Sequence, residues 1–268
     1  MLATPTTLET VASLDGTKIV FTRAGSGSPL ILVHGTGADR NRWAAVTPLL
    51  AEQFTVCALD RRGRGLSGYA ATYAVQREYE DIAAVAAAFP APVDILGHSF
   101  GAACVLGAAP TIFNLCRLVL YEPPMLHEQH TPQRDEWIER MEHALEAGEP
   151  EMVVLILMHE MLQIPMVVIE KARTTTAWAA QLASAHTIPR ELRASDVYGA
   201  DPDCLRSICA PALFLLGSAS PQSFKETTQT LCGLLPNSQV VVLEGQQHSA
   251  MLASPALFVQ AILPFLTD

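Results

Sequence analysis

The stretch Ile95-Leu96-Gly97-His98-Ser99-Phe100-Gly101-Ala102 decides how the chain is read. The apolar run over 93–96 reads as a buried strand, and an alanine-rich segment begins directly after Gly101, so Ser99 sits on a turn between strand and helix. Glycines two residues to either side let strand and helix approach closely and relieve a strained backbone at the serine, which aims its hydroxyl out above a sheet. A chance G-x-S-x-G arises in roughly one chain in ten of this length. Its meaning therefore comes from its position and from what lies around it.

Working outward, the same strand-then-helix alternation repeats. Upstream, 30–33 and 54–59 are continuous apolar runs, as expected of strands buried on both faces. The first ends in His34-Gly35-Thr36-Gly37, the second in the glycine-rich loop from Asp60 to Ser67. Helices are predicted over 41–52 and 73–89, the latter stopped by Pro90, and the alternation over 10–24 about Asp15-Gly16 predicts an antiparallel hairpin. Downstream, a helix from the turn to about Pro110 precedes a strand over 115–121 ending in Glu122-Pro123-Pro124. Between 125 and 209 the pattern is helical, with segments at 134–147, 152–162, 166–184 and 190–197. Strand character resumes at 212–216 and 239–243, with helices at 223–235 and 256–265 and the loop Gly245-Gln246-Gln247-His248 between. Such spacing implies right-handed crossovers and a mostly parallel sheet of eight strands flanked by helices. The core is expected at 1–124 and 210–268, with a helical cap at 125–209 inserted after the sixth strand.

The chain has 268 residues, half of them hydrophobic, which suffices for one large α/β domain. A net charge of −10 with no basic patch outside Arg61, Arg62 and Arg64 excludes a nucleic-acid footprint. The six cysteines lie mainly in apolar patterns without metal or disulfide spacing, so they are expected to be reduced and mostly buried. Residues 1–10 lack the charged and apolar regions of a signal peptide, and the apolar stretch 153–169 is interrupted by His159, Glu160, Gln163 and Pro165. A cytoplasmic location and no membrane partner are the resulting expectations.

In their order, His34-Gly35, the 60–67 loop, the Gly97–Gly101 elbow and His248 resemble the α/β-hydrolase fold, and the resemblance covers essentially the whole chain. It implies a nucleophile, an acid and a histidine in the order Ser, Asp or Glu, His. Ser99 then matches the nucleophile and His248 its base, because a neutral hydroxyl attacks a carbonyl only with a base in hydrogen-bond reach. The backbone amides of Phe100 and Thr36 match the oxyanion donors. By the same resemblance His34, His98 and the charged 60–67 loop are expected to support the geometry rather than react.

The acid departs from the common pattern. Many relatives carry Gly-x-x-Asp after the strand at 212–216, whereas this chain has Gly217-Ser218-Ala219-Ser220. Some members place the acid after the sixth strand, which here is Glu122. Asp201 and Asp203 precede the strand and fit less well. The expected activity is serine hydrolysis of a small, mainly apolar or neutral ester, thioester, lactone or amide. Carbon–carbon bond hydrolysis, perhydrolysis, hydroxynitrile-lyase chemistry or non-catalytic ligand binding are the alternatives on the same Ser/His pair. Met125, Met152, Met158, Met161, Met166, Trp137 and Trp178 are candidates for an apolar pocket or for core packing in the helical segment. No dinucleotide fingerprint or metal-ligand spacing occurs, so no cofactor or metal is expected, and the partner is a small-molecule substrate acting on a monomer or homodimer.

Overall fold

A computed structural model describes residues 6–70, 72–124, 131–197 and 202–268. The strands are β1 (Thr6–Ala12), β2 (Lys18–Ala24), β3 (Ser28–Val33), β4 (Phe54–Asp60), β5 (Val93–His98), β6 (Leu115–Tyr121), β7 (Ala212–Gly217) and β8 (Ser238–Leu243). They form one eight-stranded sheet in the order β1-β2-β4-β3-β5-β6-β7-β8. The β1/β2 and β2/β4 pairs are antiparallel and all others parallel. Every residue of β4, β5 and β7 is buried, which is why these strands read as unbroken apolar runs.

The helices of the core are α1 (Thr47–Leu50), α2 (Val75–Ala87), α3 (Phe100–Ala108), α10 (Gln222–Leu234), α11 (Ala250–Ala253) and α12 (Pro255–Thr267). One face of the sheet packs on α2, α3 and α10 around Ile31, Ile95, Leu120 and Phe214; the other packs on α1, α11 and α12 around Leu32, Leu96, Leu215 and Phe258. From β3 the chain moves to β4 on one side and returns to β5 on the other. That reversal opens a crevice beyond the carboxyl ends of β3 and β5, where open parallel sheets place their ligands. The loops after β3, β5, β6, β7 and β8 all emerge at this edge.

Between β6 and β7 lie α4 (Pro132–Glu146), α5 (Pro150–Leu155), α6 (Met166–Ala172), α7 (Thr176–Ser184), α8 (Ile188–Val197) and α9 (Pro202–Arg206). They bury a core of their own around Met141, Val153, Ile156, Ile169, Trp178 and Ile188. Met158, Met161 and Trp137 pack against this cluster, Met152 and Met166 are exposed, and Met125 lies outside the described residues.

Three local expectations need correction. The helix expected over 41–52 is a 3-10 turn, Arg40–Trp43, followed by the one-turn α1, because Asp39 caps the turn and Pro48 starts the helix anew. The segment 166–184 divides into α6 and α7, since Thr175 donates to the Ala172 carbonyl at 2.6 Å and accepts from the Trp178 amide. Of the six cysteines only Cys57 and Cys104 are buried; Cys116 and Cys232 are half-buried, and Cys204 and Cys209 exposed. No described helix is long and apolar enough to cross a membrane.

Candidate active site

Ser99 holds φ 54° and ψ −129°, a backbone conformation that costs a non-glycine residue energy and places it at the apex between β5 and α3. Its amide donates to the Tyr121 carbonyl at 2.9 Å, tying the elbow to the end of β6. Glycine is required on the helix side, because a Cβ on Gly101 would lie 2.4 Å from the His34 carbonyl oxygen. It is required equally on the facing loop. A Cβ on Gly35 would come within 2.9 Å of Ser99 Cβ.

That contact brings Thr36 beside the elbow. Among the described residues, the amide N–H groups of Thr36 and Phe100 have no acceptor. The loop is held from below by His34, whose Nδ1 bonds the Gly35 carbonyl at 2.9 Å while its Nε2 accepts from the Arg61 amide at 3.1 Å. One donating and one accepting nitrogen define a neutral imidazole, and burial, reinforced by Arg61 and Arg64, pushes the His34 pKa well below its ordinary value.

Glu122 leaves the end of β6 with φ 45° and its carboxylate is fully buried. Oε1 accepts from the Gly217 amide at 2.7 Å and Oε2 accepts from His248 Nδ1 at 2.6 Å. Both carboxylate oxygens are therefore engaged, one by the end of β7 and one by the histidine. Phe224, in the first turn of α10, stacks on the His248 ring at 4.5 Å and 21°.

Two further residues fasten the His248 loop. His98 Nε2 donates to the His248 carbonyl at 2.8 Å, and the Tyr121 hydroxyl donates to the Gln247 carbonyl and accepts from the Ala250 amide at 3.2 Å. Burial, then the neighbouring His248, holds the His98 pKa well below its usual value, so this ring too is neutral and its Nδ1 is an acceptor without a partner. Nothing in the sequence pattern marks Phe224 or the Tyr121 hydroxyl; the order of motifs alone pointed to Glu122.

The 60–67 loop is an ion network below the site. Arg61 meets Glu78 at 2.9 Å and also Glu191 of α8, which pairs with Arg64 as well. Arg62 forks onto Asp81 with two contacts of 2.7 Å. The Arg61 guanidinium lies 4.9 Å over the Phe100 ring, so the network touches the residue that follows Ser99. Helix α8 and the π-turn after α5 approach the site from the other side, with Ile188 and Leu157 both 3.6 Å from the position of a Cβ on Gly37.

Of the other acids weighed, Asp203 is exposed and pairs with Arg206, while Asp201 lies outside the described residues. Ser220 is buried in the loop after β7 with its hydroxyl unpartnered. No group of three or more His, Cys, Asp or Glu side chains able to hold a metal occurs among the described residues.

The sheet order, the serine elbow at the switch point and the histidine loop after the last strand define an α/β-hydrolase architecture. Residues 30–261 match the model of the alpha/beta hydrolase family, and the chain belongs to that family as a hydrolase. Over 247 residues it is 26% identical to the (E)-2-((N-methylformamido)methylene)succinate hydrolase of Acinetobacter baylyi, covering 90% of this chain and 91% of that one. It is likewise 26% identical over 275 residues to the 2-hydroxy-6-oxo-6-(2'-aminophenyl)hexa-2,4-dienoic acid hydrolase of Metapseudomonas resinovorans, covering 97% and 91% of the two chains. An alpha/beta hydrolase structure from Sphaerobacter thermophilus superposes with a TM-score of 0.80 at 34% identity, covering 96% of this chain and 98% of that one.

Proposed function

We propose that the protein is a serine hydrolase in which Ser99 is the nucleophile, His248 its general base and Glu122 the orienting acid. The observation that carries this reading is the buried Glu122 carboxylate 2.6 Å from His248 Nδ1, beside a serine on a strained elbow. A carboxylate on Nδ1 keeps that nitrogen protonated and leaves Nε2 free to take a proton, which is the tautomer a general base needs.

In the first step the Ser99 hydroxyl oxygen bonds to the substrate carbonyl carbon as its proton passes to His248. The unpartnered amides of Phe100 and Thr36 receive the oxyanion, the bond to the leaving group breaks, and His248 returns the proton to the departing oxygen, sulfur or nitrogen. Water then adds to the acyl carbon by the same route, its proton going through His248 to Ser99. The substrate class is a small ester, thioester, lactone or amide. Residues 125–209 act as a cap over the crevice, a role supported by Ile188 and Leu157 lying against the loop that carries Thr36.

A fluorophosphonate probe labels the wild-type protein and not Ser99→Ala, and p-nitrophenyl esters are turned over by the wild type alone. Absence of both labelling and ester hydrolysis in the wild type overturns the reading. Carbon–carbon bond hydrolysis is the second reading, favoured by the oxo-dienoic acid named for the Metapseudomonas relative, a compound with no ester or amide bond. Product analysis with a vinylogous diketone separates the two.

A further inference from the structure

The 3-10 turn Arg40–Trp43 follows the 34–37 loop directly and packs against α11, the helix just after His248. Trp43 is buried with its ring edge-on to His98 at 6.4 Å. The turn is thus wedged between the loop presenting Thr36 and the loop presenting His248, and it carries two arginines.

Arg40 is committed within the fold. Its amide donates to Asp60 Oδ1 at 2.9 Å and its guanidinium pairs with the same carboxylate. Arg42 has no counterpart to this. Its amide bonds the Asp39 carbonyl at 3.1 Å and the residue is half-buried, but among the described residues its guanidinium makes no hydrogen bond and no ion pair. The carboxylate that acts on it, Asp39, is already bonded by the amide and the Nδ2 of Asn41 at 2.9 and 3.1 Å. Its charge also acts on His34 and His98, both neutral, and pushes both further toward neutrality. Burial lowers the proton affinity of Arg42 itself, with only Asp39 opposing. By contrast Arg61, Arg62 and Arg64, in the layer beneath, are all met by carboxylates.

A guanidinium offers five donors in a planar fork that matches a carboxylate, and here no protein acceptor among the described residues fills it. The turn that carries this unpaired fork lies between the loops presenting Thr36 and His248, where an acceptor on a ligand would complete it. We infer that Arg42 is a specificity-determining residue that pairs with a carboxylate on the substrate, so that the site takes acid-bearing esters or amides. The inference rests on the hydrolase reading of Ser99 and His248, and it replaces the neutral substrate expected from the side chains of the helical segment.

The test compares mono-p-nitrophenyl esters of linear dicarboxylic acids, from glutarate to suberate, with the same series capped at the far end as methyl esters. At the best chain length the wild type prefers the free acid in kcat/KM by tenfold or more, as expected of a charge-assisted pair. Arg42→Met collapses that ratio toward one through KM, Arg42→Lys keeps part of it, and added salt weakens it in the wild type only. Calorimetry on Ser99→Ala protein with monomethyl and dimethyl adipate reads the same preference without turnover, and the Ser99→Ala/Arg42→Met protein loses it. Arg42 is overturned if the wild type shows no preference at any length, or if Arg42→Met leaves the preference intact. A wild type that neither labels nor turns over either series sinks the hydrolase reading, while the calorimetric comparison still decides Arg42.

Discussion

Replacing Glu122 by glutamine changes one charge and one acceptor at a carboxylate whose two oxygens are both engaged. Gly217 N–H can only be met by an acceptor, so the glutamine carbonyl oxygen takes the place of Oε1, 2.7 Å from that amide. The NH2 group is then left facing His248 Nδ1, 2.6 Å away in the native protein, where it can only donate. His248 must answer with Nδ1 unprotonated and the proton on Nε2. That tautomer cannot accept the Ser99 proton. Loss of the correct tautomer in a triad of this type costs about 10³- to 10⁴-fold in kcat, or roughly 4–5.5 kcal/mol of transition-state stabilisation.

The assay is kcat and KM on a p-nitrophenyl ester, with near-ultraviolet circular dichroism to confirm the native fold. Glu122→Gln lowers kcat about 10³-fold or more and leaves KM within a few-fold. The buried, unpartnered Ser220 supplies a rescue. A Cβ on Gly217 would sit 2.7 Å from Ser220 Oγ, so this side chain touches the residue that anchors Glu122. Ser220→Asp placed on Glu122→Gln restores at least tenfold of the lost rate by returning a carboxylate to the His248 side of β7. A folded Glu122→Gln protein within threefold of wild-type kcat refutes the assignment of the acid.

Gly35→Ala, whose new methyl would meet Ser99 Cβ at 2.9 Å and the His98 carbonyl oxygen at 3.1 Å, displaces the Thr36 amide, lowers the rate of fluorophosphonate labelling about 10²-fold and lowers the melting temperature as well. Glu191→Gln leaves Arg61 and Arg64 sharing only Glu78, a buried imbalance that costs about 3 kcal/mol in urea titration and raises hydrogen exchange in α8 first. His34 and His98 are neutral in the folded state while their unfolded counterparts bind protons below about pH 6.5, so their contribution is complete above that pH and is lost as the pH falls. The loss is read as a urea midpoint that falls as the pH drops below about 6.5, and it is flattened in His98→Asn.

How far the sequence carries follows from the range of each interaction. The elbow at Ser99, the loop at His34-Gly35 and the eight strands are legible because each depends on residues that adjoin one another along the chain. The break of 41–52 is local too, but Asp39 and Pro48 compete with an apolar spacing that reads as one helix. Phe224 on His248, His98 on the His248 carbonyl and Glu191 on Arg61 join segments 24, 150 and 130 residues apart. No periodicity encodes such partners. Arg42 is harder still, since in the sequence it is one of two arginines in the same short turn, and only the structure shows which of them lacks a carboxylate.

With Glu122 as the proposed acid, its position also accounts for a glutamate there. In the order β6-β7-β8, an acid after β7 stands next to the strand that delivers His248, whereas one after β6 must reach across β7. The longer side chain supplies one methylene of that reach. A left-handed backbone at Glu122, φ 45°, turns the residue toward β7, and the Gly217 amide steadies the carboxylate midway. Each of these features would be needless for an acid at position 220. Their presence together at a fully buried residue ties the loss of aspartate from the loop after β7 to the way β6 ends, so that the two departures from the common pattern form one arrangement.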